Sequence, residues 1–472
     1  MIEEERRDFS VEAMITISQA AEAMAGSYRN CSGEMLISSV STDTRTIQAG
    51  ALFFALRGEQ FDGHKFIENA MAAGAICCVV AEDAQIPEEL PAIVVKDTQI
   101  ALGHLAAAYR RQFSIPVVGI TGSVGKTSTK EMIASVLRQS FETHVTKGNF
   151  NNEIGLPLTV FQLNQSHEMM VLEMGMSHFG EISRLTRIAQ PELAVITNIG
   201  VSHIENLGSR EGILQAKLEI LEGLQMDGTV IMNGDDEMLW GARGELDCET
   251  LYYGMENPNC DLVAKNICTY SDSSTFTCKI EGKEYEFLVR VPGIHHIYNA
   301  LAAILVGMRH HVPMEEIQKG VRAFTPSGLR QTLIQLPRWQ IIRDCYNASP
   351  DSMQSGLSVL ALTETKGRRV ACLGDMLELG EISQGAHEKV GKMVVEYQAD
   401  GLITVGKAAH DIARGARMAG MDPAGIFEFE DNKTLCQALP KLLKDGDVIL
   451  VKGSRGMHLE EVVDAMVAMA EE

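Results

Sequence analysis

Residues 119–129 read Gly-Ile-Thr-Gly-Ser-Val-Gly-Lys-Thr-Ser-Thr. An apolar run, 115–120, precedes them, and a helical pattern follows with Met132, Ile133, Val136 and Leu137 on one face. Strand, glycine-rich turn and helix in that order aim backbone N–H groups and a helix N-terminus at a phosphate. Lys126 is placed to reach terminal phosphates, and the Thr127 hydroxyl to ligate Mg²⁺. A nucleoside triphosphate is therefore the first ligand to consider. The spacing departs from the usual phosphate loop, because Ile120 stands where the first glycine belongs and the glycines fall at 119, 122 and 125. A tight turn with no ligand is the competing reading, and it leaves Gly-Lys-Thr unexplained.

In an open α/β sheet, ligands sit beyond the carboxyl ends of the strands. Glu173 closes the apolar run 169–173, either as an ordinary strand-end acid or as a Mg²⁺ ligand. The run 193–197 leads to Asn198-Ile-Gly200 and the loop residue His203, alone an unremarked histidine, beside other polar strand ends a candidate metal ligand. Lys217 falls among Ile213, Leu214, Leu218, Leu221 and Leu224 at helical spacing. An ammonium there must snorkel, find a partner, shift its pKa or be modified. A neutral lysine amine can take up CO₂ as a carbamate, which turns a cation into an anion able to hold Mg²⁺. Asn149, Asn151 and Asn152 either cap and turn the chain or bind an amide-rich substrate.

The elements that must position these residues read as three blocks in 472 residues. The first, 1–98, holds short strands at 51–56, 77–80 and 92–95 and a helix near 66–75, with 1–13 as an extension. The second, 99–325, alternates strands (117–121, 170–173, 193–197, 229–232) with helices, as a parallel sheet with right-handed crossovers requires. It ends in a hairpin, 275–289, and an Ala/Leu-rich helix, 298–306. The third, 326–472, repeats the alternation with strands at 339–344, 369–373, 401–405 and 448–451, a second doubly wound unit. The fold class is α/β with three domains. Net charge is −22 without a basic tract, which argues against nucleic acid and anionic membranes as partners. No apolar signal core or membrane-spanning run is present, and the ten cysteines are scattered. A cytoplasmic, monomeric protein is expected.

Taken together, these motifs resemble the Mur ligases, the ATP-dependent amide-forming enzymes of peptidoglycan assembly. The resemblance runs from about Ile15 to Met466. It rests on Ser41-Thr-Asp-Thr-Arg45, Asp62-Gly-His64, the loop 119–127, Glu173-Met-Gly-Met-Ser-His178 and Thr197-Asn-Ile-Gly200 with His203. Tyr346-Asn-Ala-Ser-Pro350, Leu373-Gly-Asp-Met-Leu-Glu-Leu-Gly380 and Val451-Lys-Gly-Ser-Arg-Gly456 point within the family to addition of D-alanyl-D-alanine to UDP-N-acetylmuramoyl-tripeptide.

The resemblance implies a small N-terminal nucleotide-sugar domain, a central P-loop-type ATPase domain and a C-terminal Rossmann-like domain. It assigns Ser41, Asp43, Arg45, Gly63 and His64 to the UDP end, and Asn149, Asn151 and Asn152 to the nucleotide-sugar groove. Gly122, Ser123, Val124, Gly125, Lys126, Thr127 and Ser128 would hold the phosphates of ATP. Thr127 and Glu173 would hold one Mg²⁺, and His203 with carbamylated Lys217 a second. Asn299 would meet adenine, Asp344 the ribose and Arg330 the γ-phosphate, with Asn347 and Ser349 against the dipeptide. Lys126, Glu173, His203, Lys217 and Arg330 form the implied catalytic set. Leu329 departs from relatives that carry Gly there, and His296 receives no role. Alternatives are a diaminopimelate- or lysine-adding sister, a folylpolyglutamate synthetase-like ligase, a P-loop switch or an inactive homologue.

Overall fold

The computed structural model describes residues 10–58, 61–326 and 328–471. They form an α/β protein with three sheets of six, nine and six strands. Residues 1–9 of the expected extension lie outside the described part. Ser10–Thr16 is already an edge strand, antiparallel to Leu36–Ser41. The chain forms two compact units: 1–121 with 141–195 and 218–230, and 122–140 with 196–217 and 231–472.

The first unit holds the six-stranded sheet, in which Leu36–Ser41, Ala51–Phe54, Ala75–Ala81 and Ala92–Val95 run parallel. The expected helix 66–75 is shorter. A 3-10 turn, Gly63–Phe66, leads into Ile67–Ala72, and Gly74 at φ +112° turns the chain into the next strand. This unit also carries Val117–Thr121, Met169–Glu173 and Thr143–Val145, parallel neighbours in the nine-stranded sheet. Every residue of these strands is buried, which is why Val117–Thr121 and Met169–Glu173 read as apolar runs, although the short Thr143–Val145 does not.

In the second unit, Leu262–Thr269, Ser274–Ile280 and Lys283–Val289 run antiparallel. Glu281 and Gly282 both have positive φ, the geometry that two-residue hairpins favour. The C-terminal sheet runs Thr332–Gln335, Gln340–Arg343, Val448–Lys452, Arg369–Gly374, Gly401–Val405, Ile426–Phe429. Its parallel strands have two apolar faces. Ala371, Leu373 and Leu450 enter one core, while Val370, Cys372 and Val451 enter the other. Helices cover both, which is the doubly wound arrangement expected. Leu329 packs against the second core, so the residue that departs from Gly is an apolar anchor.

Several short strands escaped the sequence reading, three of them at sheet edges. Thr143–Val145, Glu249–Gly254, Thr332–Gln335 and Ile426–Phe429 are three to six residues long and lie outside the strong apolar runs. The helix bearing Lys217 ends at Leu218 and tightens into a 3-10 turn, Glu219–Gly223. Its buried residues are Ile213, Ala216, Lys217 and then Ile220, while Leu214, Leu218, Leu221 and Leu224 of the expected stripe are only half-buried.

Candidate active site

In the second unit, the glycine-rich loop leads into the helix Lys126–Leu137. Ile120 is buried inside the preceding strand, so the loop begins at Gly122, which accounts for the unusual spacing. Gly122 (φ +148°) and Gly125 (φ +85°) adopt backbone that side chains disfavour. A Cβ on Gly122 would stand 1.9 Å from Thr197 Oγ1. No side chain caps the helix at Gly125, as befits an N-terminus that receives an anion.

The segment 197–200 straps the loop from outside. Val124 N–H donates to Asn198 Oδ1 (2.9 Å), and Asn198 Nδ2 (3.1 Å) and Thr197 Oγ1 (2.6 Å) donate to Val124 O. Ser123 N–H donates to Asn198 O (3.0 Å), and Gly200 N–H to Ser123 Oγ (2.9 Å). Asp236 accepts from Ile199 N–H (2.7 Å) and so holds the strap itself. Lys126 Nζ donates to the carbonyls of Gly122 (2.8 Å) and Ser123 (3.3 Å). Ser128, the last residue of the implied phosphate set, lies in the first turn of the helix.

Lys217 is brought to Lys126. It is 2 % exposed, and burial followed by the Lys126 ammonium holds its pKa well below the usual lysine value. The snorkelling alternative fails, since the side chain does not reach water. His203 sits at φ +62°, its Nδ1 2.5 Å from Glu378 Oε2. Asn299 is buried, and its Oδ1 accepts from Thr129 Oγ1 (3.0 Å), which ties the helix His295–Arg309 to the phosphate-loop helix.

Arg330 lies over the ring of Tyr346, 3.9 Å from its centroid. Asp344 forms a buried ion pair with Lys452 (2.8 Å), whose Nζ also donates to Asn347 O (3.0 Å). Ser349 caps the helix Pro350–Leu362. Asn347 Oδ1 accepts from Ala348 N–H. Two residues that the sequence reading passed over stand here. His295 Nε2 and His296 Nε2 lie 2.8 and 3.1 Å from the single acceptor Gln331 Oε1, and Gln331 has φ +45°. Burial holds both imidazoles below the usual histidine pKa, His296 the more so. The doublet His295-His296 was the only signal, and it sits four residues before Asn299 in a run that reads as plain helix.

In the first unit, Glu173 closes its strand in register with Ile120 and accepts from Asn151 Nδ2 (2.8 Å). Asn152 Oδ1 accepts from the N–H groups of Ile154 (3.2 Å) and Gly155 (2.8 Å), so it turns the chain. Asn149 is exposed. The three asparagines thus part into a carboxylate holder, a cap and a surface residue. Ser41 and Asp43 share one turn with Arg45, whose guanidinium clasps the Asp43 carboxylate and holds its pKa down. His64 Nδ1 lies 2.6 Å from Asp62, and Nε2 accepts from Ala81 N–H. Both ring nitrogens are engaged, so His64 is a strut and its ring has no hydrogen bond left for a ligand. Gly63 faces Leu56, where a Cβ would come within 2.8 Å of the backbone.

Among the described residues, no three His, Cys, Asp or Glu side chains form a ready metal cage. The Thr127 hydroxyl in the second unit and the Glu173 carboxylate in the first are each hard oxygens of the kind Mg²⁺ takes alongside water and phosphate oxygens. Lys217 as an ammonium fits no metal, and only its carbamate would.

Three family models match in sequence. Residues 36–125 match the Mur ligase family, catalytic domain; 120–307 the Mur ligase middle domain; and 330–455 the Mur ligase, glutamate ligase domain. The UDP-N-acetylmuramoyl-tripeptide--D-alanyl-D-alanine ligase of Bacillus subtilis is 41 % identical over 96 % of this chain and 98 % of its own length. A crystal structure of MurF from Acinetobacter baumannii aligns at TM-score 0.88 and 30 % identity, covering 98 % of this chain and 100 % of that one. The MurF ligase of Thermotoga maritima in complex with ADP aligns at 0.79 and 28 % identity, covering 92 % and 97 %.

Proposed function

From the premise that this chain belongs to the Mur ligase family, we propose that it joins D-alanyl-D-alanine to UDP-N-acetylmuramoyl-tripeptide with hydrolysis of ATP to ADP and phosphate. It is an ATP-dependent ligase of peptidoglycan precursor synthesis. The observation that carries this reading is the end-to-end likeness to ligases of that specificity. The strapped loop behind Lys126 supplies the ATP chemistry. No helix among the described residues is long and apolar enough to cross a membrane, in keeping with work on cytoplasmic precursors.

Amide formation from a carboxylate in water is uphill, and ATP drives it by converting the acid to an acyl phosphate. Two anions must approach, the tripeptide carboxylate and the γ-phosphate. Backbone N–H groups of 125–128, at the start of the helix, orient the phosphates, and Lys126 neutralises charge as it develops. Bound Mg²⁺, held through Thr127 and Glu173, would add cationic charge at the same phosphates. Arg330 leaves the Tyr346 ring for the γ-phosphate, and Asn299 and Asp344 take the base and ribose. The dipeptide amine then captures the acyl phosphate, with Asn347 and Ser349 on its side. Ser41, Asp43, Arg45 and Gly63 hold the UDP end, in a loop kept in shape by His64. Functionally the chain divides at 1–98, 99–325 and 326–472.

Lys217 enters as a carbamate. A fully buried amine beside a second ammonium is driven neutral, and a neutral amine is the form that adds CO₂. The product would offer oxygens, with His203, to a second Mg²⁺. K217A should lose at least nine-tenths of its turnover and recover part of it with added short-chain carboxylates. A normal rate in K217A would refute the ligand role. Phosphate release tests the whole assignment. It should require both UDP-N-acetylmuramoyl-tripeptide and D-alanyl-D-alanine, and release with neither would mark a nucleotide switch instead.

A further inference from the structure

The turn 328–332 carries Arg330, and none of the chemistry above uses its neighbour Gln331. Arg330 is hung between two different supports. On one side, Leu329 packs against the second core of the C-terminal sheet, and Gly328 O accepts from Thr332 Oγ1 (2.9 Å) and Arg343 Nη2 (3.2 Å). On the other, Gln331 is fixed to the helix His295–Arg309, since its Oε1 is shared by His295 Nε2 (2.8 Å) and His296 Nε2 (3.1 Å). A neutral imidazole carries one N–H, and an amide oxygen only accepts, so both rings hold their proton on Nε2. The Nδ1 atoms agree. That of His295 is buried with no partner among the described residues, so its ring has a use for the proton only at Nε2. That of His296 lies 3.4 Å from Asn299 Nδ2, a donor. Two donors thus converge on one oxygen of a residue at φ +45°, and a non-glycine residue keeps such backbone only where its surroundings over-determine it.

We propose that Gln331 is the positioning residue of Arg330: the imidazole pair grips its side-chain oxygen, and that grip fixes the turn from which Arg330 reaches. This rests on the reading of Arg330 as the γ-phosphate contact given above. The Arg330 guanidinium rests on a ring face, 3.9 Å from the Tyr346 centroid, a contact it can give up, so its reach is set by the main chain beneath it. Gln331 acts only through its neighbour and touches no substrate.

The test combines steady-state kinetics of the full chain with a calorimetric titration of ADP. Q331M keeps the length and loses the oxygen. It should lower kcat about tenfold to a hundredfold. Its affinity for ADP, which has no γ-phosphate, should be unchanged. Q331A also removes the oxygen and serves if Q331M folds poorly. Q331E keeps an acceptor for both N–H groups and should retain most of the parental kcat. R330A should lose at least as much as Q331M, and the double variant R330A/Q331M no more than R330A alone. A double variant in which the two losses multiply overturns the proposal while sparing the Arg330 reading. Parental kcat in Q331M, or Q331E as slow as Q331M, also overturns it. So does a loss of ADP affinity in Q331M as large as its loss of kcat, which would mean action through Asn299. A normal kcat in R330A removes the Arg330 reading and the proposal together.

Discussion

The phosphate loop and the residues assigned to the rest of the nucleotide are built on opposite plans. Around 122–125, side chains such as Asn198 and Thr197 serve only to hold backbone in place, and the backbone meets the ligand. Asn299, Asp344 and Arg330 are each engaged by another part of the protein: Thr129, Lys452 and the Tyr346 ring. The phosphate loop therefore requires no exchange of side-chain partners beyond Lys126, whereas recognition of the base, the ribose and, through Arg330, the γ-phosphate does. Such exchange weakens binding, because each broken internal contact must be replaced. The difference teaches that affinity should come from the loop, and that the other three residues should govern discrimination and timing.

The largest effect should come from the one charge in the loop itself. K126A should lower kcat about a thousandfold with the fold intact by circular dichroism. A loss below tenfold would break the distinction at its strong end. Next, D344N leaves the Lys452 ammonium buried without its partner, which should cost about 3–5 kcal/mol in urea unfolding. The double variant D344L/K452M should regain most of that stability and still bind ADP poorly. If ADP binding returns with stability, Asp344 is only structural.

A smaller effect is expected from the strap. N198A removes the amide that holds both the N–H and the carbonyl of Val124 and should weaken ADP about tenfold by calorimetry. An unchanged affinity would show that the loop keeps its shape unaided. The smallest is a pH effect at Gln331. Burial keeps His296 neutral in the folded chain, so below its unfolded pKa of about 6.5 the unfolded chain takes up a proton that the folded chain refuses. Stability then falls with acidification by at most about 1.4 kcal/mol per pH unit for this histidine. In H296Q, the decline of Tm between pH 7 and 5 should be shallower, and parallel curves would contradict it.

Much of this was legible in the sequence, unevenly. Buried parallel strands such as Val117–Thr121 announce themselves because both faces are apolar. The Gly-Lys-Thr turn does so because few residue types fit its backbone. Lys217 stood out as a cation in an apolar helix, yet its true buried neighbours differ, since a helix that tightens to a 3-10 turn leaves no mark in a periodicity count. Partnerships were invisible. Nothing in the spelling of Asn149, Asn151 and Asn152 separates the one that holds Glu173 from the one that caps a turn, and Lys452 meets Asp344 across 108 positions.

The absence of a side chain at position 122 has a consequence for anyone designing an inhibitor. Any replacement collides with Thr197 and must also hold φ near +148°. Shortening Thr197 would remove its hydroxyl but leave its backbone nitrogen 3.1 Å away, and it would not touch the second objection. A compound whose contacts are confined to this stretch of main chain thus meets a surface that a single codon change is poorly placed to redraw, so resistance would have to arise elsewhere.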